Sequence, residues 1–133
     1  MTLIHLTVPD AAPAPPSAKY SHAVKAGPFL YVTGQLPVDP DDPVAPLPEG
    51  IAAQTRLSFK NLERILAQAG FDFADTVFAR IYLADFKRDY AGMNAVFFEY
   101  FQDEARLPGR TTVGVAALAR DALVEIDLVL YRA

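Results

Sequence analysis

The sequence predicts an α+β domain, a mixed β-sheet with two helices packed on one face. Three observations predict it. Residues 50–69 and 86–102 repeat apolar side chains at helical spacing. Residues 75–84 and 122–130 alternate at period two, as strands do. The elements run strands, helix, strand, helix, two strands, an order that suits a two-layer architecture. At 133 residues the chain makes one domain, 1–133, large enough for a real core.

Residues 3–8 alternate weakly and predict a first strand. The run 9–16, Pro-Asp-Ala-Ala-Pro-Ala-Pro-Pro, cannot donate a regular ladder and reads as an extended loop. Segments 21–26 and 29–34 flank the turn dipeptide Gly27-Pro28 and predict a hairpin. Gly34 follows the strongest part of that strand, where a missing side chain lets a ligand approach the backbone. The stretch 37–48 is rich in proline and aspartate and reads as a long surface loop, functional or poorly ordered.

In the first helix Thr55, Phe59, Leu62, Ile65, Leu66 and Ala69 make the apolar stripe. Lys60, Asn61, Glu63, Arg64 and Gln68 mark the wet face, and Gly70 sits where a C-cap glycine belongs. The next strand presents Val77, Ala79, Ile81 and Leu83 on one face, with Phe78, Arg80 and Tyr82 on the other. Asp85 is placed to cap the second helix, whose stripe is Tyr90, Met93, Phe97, Tyr100 and Phe101.

The last quarter predicts two strands. Val124, Ile126, Leu128 and Leu130 share one face of the final strand, opposite Glu125 and Asp127. The strand before it sets Val113, Val115 and Ala117 against Arg110 and Thr112. Leu118 to Asp121 is short enough for a hairpin turn. On that pairing Arg110, Thr112, Glu125 and Asp127 share one sheet face, with Glu125 opposite Gly114 and roughly 13–14 Å from Arg110 along the strand. The other sheet face lacks a helical cover, so a second subunit or a ligand is expected there.

Composition narrows the function. Hydrophobic residues make up 52% and charged residues 21%, which predicts apolar surface buried between subunits. The net charge of −4 and the lack of basic clusters argue against nucleic acid as a partner. There is no cysteine, so disulfides and thiolate metal sites are excluded. His5 and His22 lie in different segments without carboxylates at ligand spacing, so no metal is expected. No G-x-S-x-G elbow and no phosphate-binding glycine loop occurs. No apolar run reaches membrane-spanning length and the N-terminus lacks signal-peptide features, so a soluble, cytoplasmic protein is expected.

What remains is Arg110 with Glu125. A guanidinium grips a planar carboxylate in a fork, and a carboxylate beyond it orients or deprotonates a water. Taken singly, each residue reads as ordinary surface charge, and Asn94, Tyr20, Thr33 and Thr112 as ordinary packing or strand residues.

Taken in order, the pieces resemble a known family. They are Tyr20-Ser21-His22-Ala23-Val24, Tyr31-Val32-Thr33-Gly34-Gln35, Ala53-Gln54-Thr55, Asn61-Leu62, Leu83-Ala84-Asp85, Met93-Asn94, Tyr100-Phe101, Pro108-Gly109-Arg110-Thr111-Thr112-Val113 and Leu123-Val124-Glu125-Ile126-Asp127. Their order and spacing resemble the reactive intermediate deaminase family, also called Rid/YjgF or L-PSP endoribonuclease. The resemblance covers about residue 18 to the end. It implies a chorismate-mutase-like fold and a homotrimer whose sheets form a central barrel, with ligand clefts between subunits.

By the same resemblance Arg110 grips the carboxylate of a 2-imino acid and Glu125 positions the attacking water. Thr33 and the backbone of Gly34 touch the ligand, while Tyr20, Asn94 and Thr112 line the cleft. The implied reaction hydrolyses imines or enamines such as 2-aminoacrylate or 2-iminopropanoate to a 2-keto acid and ammonia, with no cofactor. The chain departs from the family pattern at Ala18-Lys19, His22, Thr112 and the loop Pro37–Gly50. These departures keep two alternatives open: a cofactor-free hydrolase for another small carboxylate or amide, and a non-catalytic metabolite-binding trimer. Ribonuclease activity is the least favoured, given the acidic charge.

Overall fold

The computed structural model describes residues 2–133. Six strands form one sheet: β1 (Leu3–Leu6), β2 (Ala23–Ala26), β3 (Phe29–Gln35), β4 (Thr76–Leu83), β5 (Gly109–Gly114) and β6 (Val124–Tyr131). Two helices, α1 (Ile51–Ala69) and α2 (Phe86–Tyr100), complete the domain. The spatial order is β1-β2-β3-β6-β4-β5; β4 and β5 are parallel and every other pair is antiparallel.

The topology explains why both helices lie together. β3 and β4 are each antiparallel to β6 and so run the same way, and β5 runs with β4. The crossovers through α1 and α2 therefore step across the sheet in one direction. Crossovers of the same hand then place both helices on one face. Between them and the sheet lies the core, built on Phe59, Leu62, Ile65 and Leu66 of α1 and on Met93, Val96 and Phe97 of α2. The sheet answers with Leu30, Val32, Ala79, Ile81, Leu83, Val124, Ile126, Leu128 and Leu130. Phe59 stacks on Tyr100 with ring centroids 4.1 Å apart, and meets Phe73, Phe97 and Phe101 edge-on. Such aromatic pairs add to the area they bury.

Most local signals hold. Gly27 turns the β2–β3 hairpin at φ 60°. Gly70 caps α1 in the left-handed region, with φ 80°. Asp85 accepts the Arg88 backbone N–H at 3.2 Å and caps α2.

Two readings fail at the C-terminus. β5 and β6 form no hairpin, because β4 lies between them. The turn Leu118–Asp121 carries the chain past β4, through Arg120 and Asp121 at φ 58° and 52°. Consequently Arg110 and Thr112 do not share a face with Glu125 and Asp127. Arg110 aligns with Ala79 and Thr112 with Ile81, on the helix-covered face. Glu125 aligns with Tyr82 and Asp127 with Arg80, on the open face. Gly114 is not a floor between Arg110 and Glu125; it lies beside Leu83 and packs against Phe86. β5 is an edge strand with polar residues on one face and modest apolar ones on the other. Its periodicity fixed an alternation but not which side was buried.

Asn61 is a third correction. It is fully buried rather than on a wet face. Its Oδ1 accepts the Ala12 N–H at 2.8 Å, and its Nδ2 donates to the Val38 carbonyl at 2.7 Å. One amide thus ties both proline-rich loops to α1. His22 does similar work: Nδ1 accepts the Val8 N–H and Nε2 donates to the Ala12 carbonyl, each at 2.8 Å. It is a buried structural histidine with both nitrogens occupied. Val77 is exposed, not part of the aliphatic face, because the register shifts between Thr76 and Phe78.

Candidate active site

The expected site residues fall into two clusters separated by the sheet. The first belongs to the helix-covered face at the β5 edge. Arg110 lies along α2, its guanidinium carbon 4.7 Å from the Phe97 ring centroid and 5.7 Å from that of Tyr90. Its Nε donates to Thr112 Oγ1 at 2.8 Å, and one terminal nitrogen donates to Asn94 Oδ1. Two of the five guanidinium N–H groups are thereby used, and three remain free among the described residues. Burial pushes the guanidinium pKa below its ordinary value, opposed in part by Tyr90. A partly desolvated cation, held at two points and with spare donors, is suited to a carboxylate.

The second cluster lies on the open face, around Glu125. The β3–β6 ladder pairs Val32 with Leu128 and then Gln35 with Ile126, so β3 carries one extra residue. This bulge at Thr33-Gly34 faces Glu125. A Cβ added to Gly34 would stand 2.2 Å from Glu125 Oε2, so only glycine lets the carboxylate lie against that backbone. Thr33 Oγ1 donates to the Ser21 carbonyl at 2.7 Å and anchors the segment that delivers Tyr20. Burial raises the Tyr20 phenol pKa, and the Glu125 charge raises it further.

Glu125 is half-buried and, among the described residues, has no cationic partner. Burial lifts its carboxyl above the ordinary range, and the Asp127 charge adds to the lift. Asp127 itself is well bound: Arg80 Nε donates to it at 2.8 Å and the Tyr82 hydroxyl at 3.0 Å. The contrast between neighbours is chemical. Asp127 is ion-paired and hydrogen-bonded, while burial disfavours the charged form of Glu125.

Within one chain the clusters cannot act on one small molecule. Two strand spacings across and three residues along set the Arg110 and Glu125 Cα atoms roughly 14 Å apart, with side chains on opposite faces. Sequence reasoning missed the aromatic platform under Arg110. Tyr90 and Phe97 were visible as helix-stripe residues, and only the β4–β5 pairing shows that the stripe reaches β5. Among the described residues, no group of three His, Cys, Asp or Glu could hold a metal ion. No helix of the described residues is long and apolar enough to cross a membrane.

Comparison with known proteins defines the class. A family model described as Endoribonuclease L-PSP matches residues 11–131. The chain is 38% identical over 126 residues to the 3-aminoacrylate deaminase RutC of Acinetobacter baylyi, covering 95% of this chain and 96% of that protein. Among solved structures, RidA from an Antarctic Psychrobacter matches with a TM-score of 0.87 at 35% identity, over 97% of this chain and 99% of that one. E. coli TdcF with bound serine matches with a TM-score of 0.87 at 27% identity, over 98% and 99%. The mixed sheet with two helices on one face is thus the architecture of the Rid/YjgF proteins. The chain belongs to that family, the Endoribonuclease L-PSP family.

Proposed function

We propose that the protein hydrolyses reactive 2-imino and enamine acids, such as 2-iminopropanoate or 2-aminoacrylate, to 2-keto acids and ammonia. The observation that carries the reading is the pinned, partly desolvated Arg110 with three free N–H groups. A relative named 3-aminoacrylate deaminase and a fold neighbour with bound serine support a small amino-acid-like ligand. The active form in this reading is a homotrimer. One copy supplies Arg110, Asn94 and Thr112, and the next supplies Glu125, Gly34, Thr33 and Tyr20. Exposed aromatics on the open sheet face, Phe29, Tyr31 and Tyr131, support burial of that face against other copies.

The chemistry follows from the two half-sites. Arg110 binds the substrate carboxylate in a fork and fixes the orientation of C2. Glu125 takes a proton from a water as that water's oxygen bonds to C2, and the C=N π electrons move to nitrogen. Glu125 returns that proton to nitrogen and completes the neutral carbinolamine, which then collapses: the hydroxyl proton passes through Glu125 to nitrogen as C=O forms and the C–N bond breaks, and nitrogen departs as ammonia. The raised carboxyl pKa suits a group that must both accept and return a proton. No external electron donor or acceptor enters the balance, and no cofactor is required.

The test is the decay of freshly generated 2-iminopropanoate. Wild-type protein should accelerate it, and Arg110→Ala should not. An Arg110→Ala protein as active as wild type would falsify the assigned role. Tight 2-keto acid binding without rate enhancement would support a metabolite-binding protein instead. The RNA cleavage in the family's description finds less support in a chain of net charge −4.

A further inference from the structure

We infer, building on the deaminase reading, that Asp127 is a positioning residue for Glu125: it holds Arg80 and Tyr82 away from that carboxylate and so leaves it free to take a proton from water. The register brings the four side chains together. β4 and β6 pair Arg80 with Asp127 and Tyr82 with Glu125, on the open face of the sheet. Direct cross-strand partners stand about 5 Å apart and diagonal ones about 7–8 Å, within reach of long side chains and aromatic ones. Each donor on β4 therefore has two carboxylates near it. Both go to Asp127: Arg80 Nε donates to Oδ1 at 2.8 Å, and the Tyr82 hydroxyl to Oδ2 at 3.0 Å. Tyr82 does so across the diagonal, passing over the Glu125 directly opposite it.

Glu125 leans the other way. β6 lies between β3 and β4, and the Glu125 carboxylate rests against Gly34 of β3. The bulge in β3 and the carboxylate of Asp127 thus act from opposite sides. One opens a seat for Glu125, and the other ties down the donors that would draw it off that seat.

The charges follow the geometry. A guanidinium paired with Glu125 would lower its pKa and weaken it as a base. With Arg80 held by Asp127, burial and the Asp127 charge raise it instead. The hydrogen bond to Asp127 and the charge of that residue raise the Arg80 guanidinium pKa. The other ionisable groups around Glu125 are Tyr82 on β4 and Tyr20 from the segment before β2; β3 sets the Gly34 backbone against it. In the trimeric reading Arg110 of the next copy faces it too. None of these differs among the proteins compared below.

The experiment compares wild type with Asp127→Asn, with Arg80→Met and with the double variant. It reads the pH profile of 2-iminopropanoate hydrolysis and, independently of activity, the titration of the Glu125 carboxyl by carbon-13 NMR. Asp127→Asn removes a negative charge and releases Arg80. The acid limb and the Glu125 titration should both move to lower pH, by about one unit or more. At neutral pH kcat should fall about threefold to tenfold with KM little changed, because Arg110 still holds the substrate. Arg80→Met leaves the Asp127 charge unopposed, so the limb and the titration should move to higher pH. The double variant removes both charges and should bring the limb, the titration and kcat most of the way back to wild type. Loosened packing does not give opposite shifts from the two ends of one ion pair that cancel on combination. The Arg80 side chain is 56% exposed, so Arg80→Met keeps the fold and carries the test where Asp127→Asn does not fold. Glu125 titrations that coincide in all folded proteins, or that move the same way in both single variants, overturn this inference and leave the deaminase reading standing. A folded wild type that accelerates no imine overturns both.

Discussion

The two faces of the sheet use their charges differently. On the covered face Arg110 is pressed against Phe97 and Tyr90, and its neighbours Thr112 and Asn94 immobilise it. On the open face Glu125 has a glycine backbone beneath it and, among the described residues, no cation of its own, while the adjacent Asp127 takes both Arg80 and Tyr82. The covered face supplies rigidity and a fixed positive charge. The open face supplies a carboxylate whose charge is costly. In the proposed reaction each supplies half of a catalytic pair, and the sheet keeps the halves apart. The difference teaches that, on the proposed reading, a single copy has a complete fold and only half of each site at any one place.

The largest expected effect breaks the covered face. Phe59→Ala removes the ring on which Tyr100 stacks, and should cost about 3–5 kcal/mol of stability by denaturant titration. Next is Arg110→Ala. Steady-state kinetics should show kcat/KM for 2-iminopropanoate falling about a thousandfold, or ~4 kcal/mol, with the fold retained by circular dichroism.

Gly34→Ala is smaller and more specific. The added methyl displaces the Glu125 carboxylate from its seat, so kcat should fall about tenfold to a hundredfold with KM little changed. A KM effect alone would show that the bulge binds substrate rather than placing the glutamate.

The smallest effect has the opposite sign. Burial raises the folded-state pKa of Glu125, so the group's favourable contribution is full below its unfolded pKa and is lost as pH rises through the folded one. Glu125→Gln should therefore melt slightly higher than wild type at neutral pH, with the difference vanishing in acid, even as activity disappears. In the wild type, activity should fall in acid through an apparent pKa above the ordinary carboxylate range.

How far the sequence carried this account differs by region. α1, α2 and β6 were legible because each is long and strongly periodic, and Asp85 and Gly70 marked helix ends with specific chemistry. β5 was not. Its partner is β4, reached through a fifteen-residue helix, and short-range pattern cannot choose between that pairing and a hairpin. Asn61 was misplaced because a buried amide with its bonds satisfied looks, in sequence, like any polar surface residue. The site residues were gathered as a set only through family resemblance. Spacing alone put Arg110 and Glu125 on one face, and their separation by the sheet is what makes a second copy necessary to the proposal.

That necessity is open to a direct measurement. Arg110→Ala and Glu125→Gln proteins, each inactive alone, are mixed one to one under conditions that exchange subunits, and imine hydrolysis is assayed. If each site takes its guanidinium from one copy and its carboxylate from the next, random assembly regenerates intact pairs and about one quarter of wild-type activity. A mixture that exchanges subunits fully and stays as inactive as its parents would contradict a site shared between copies.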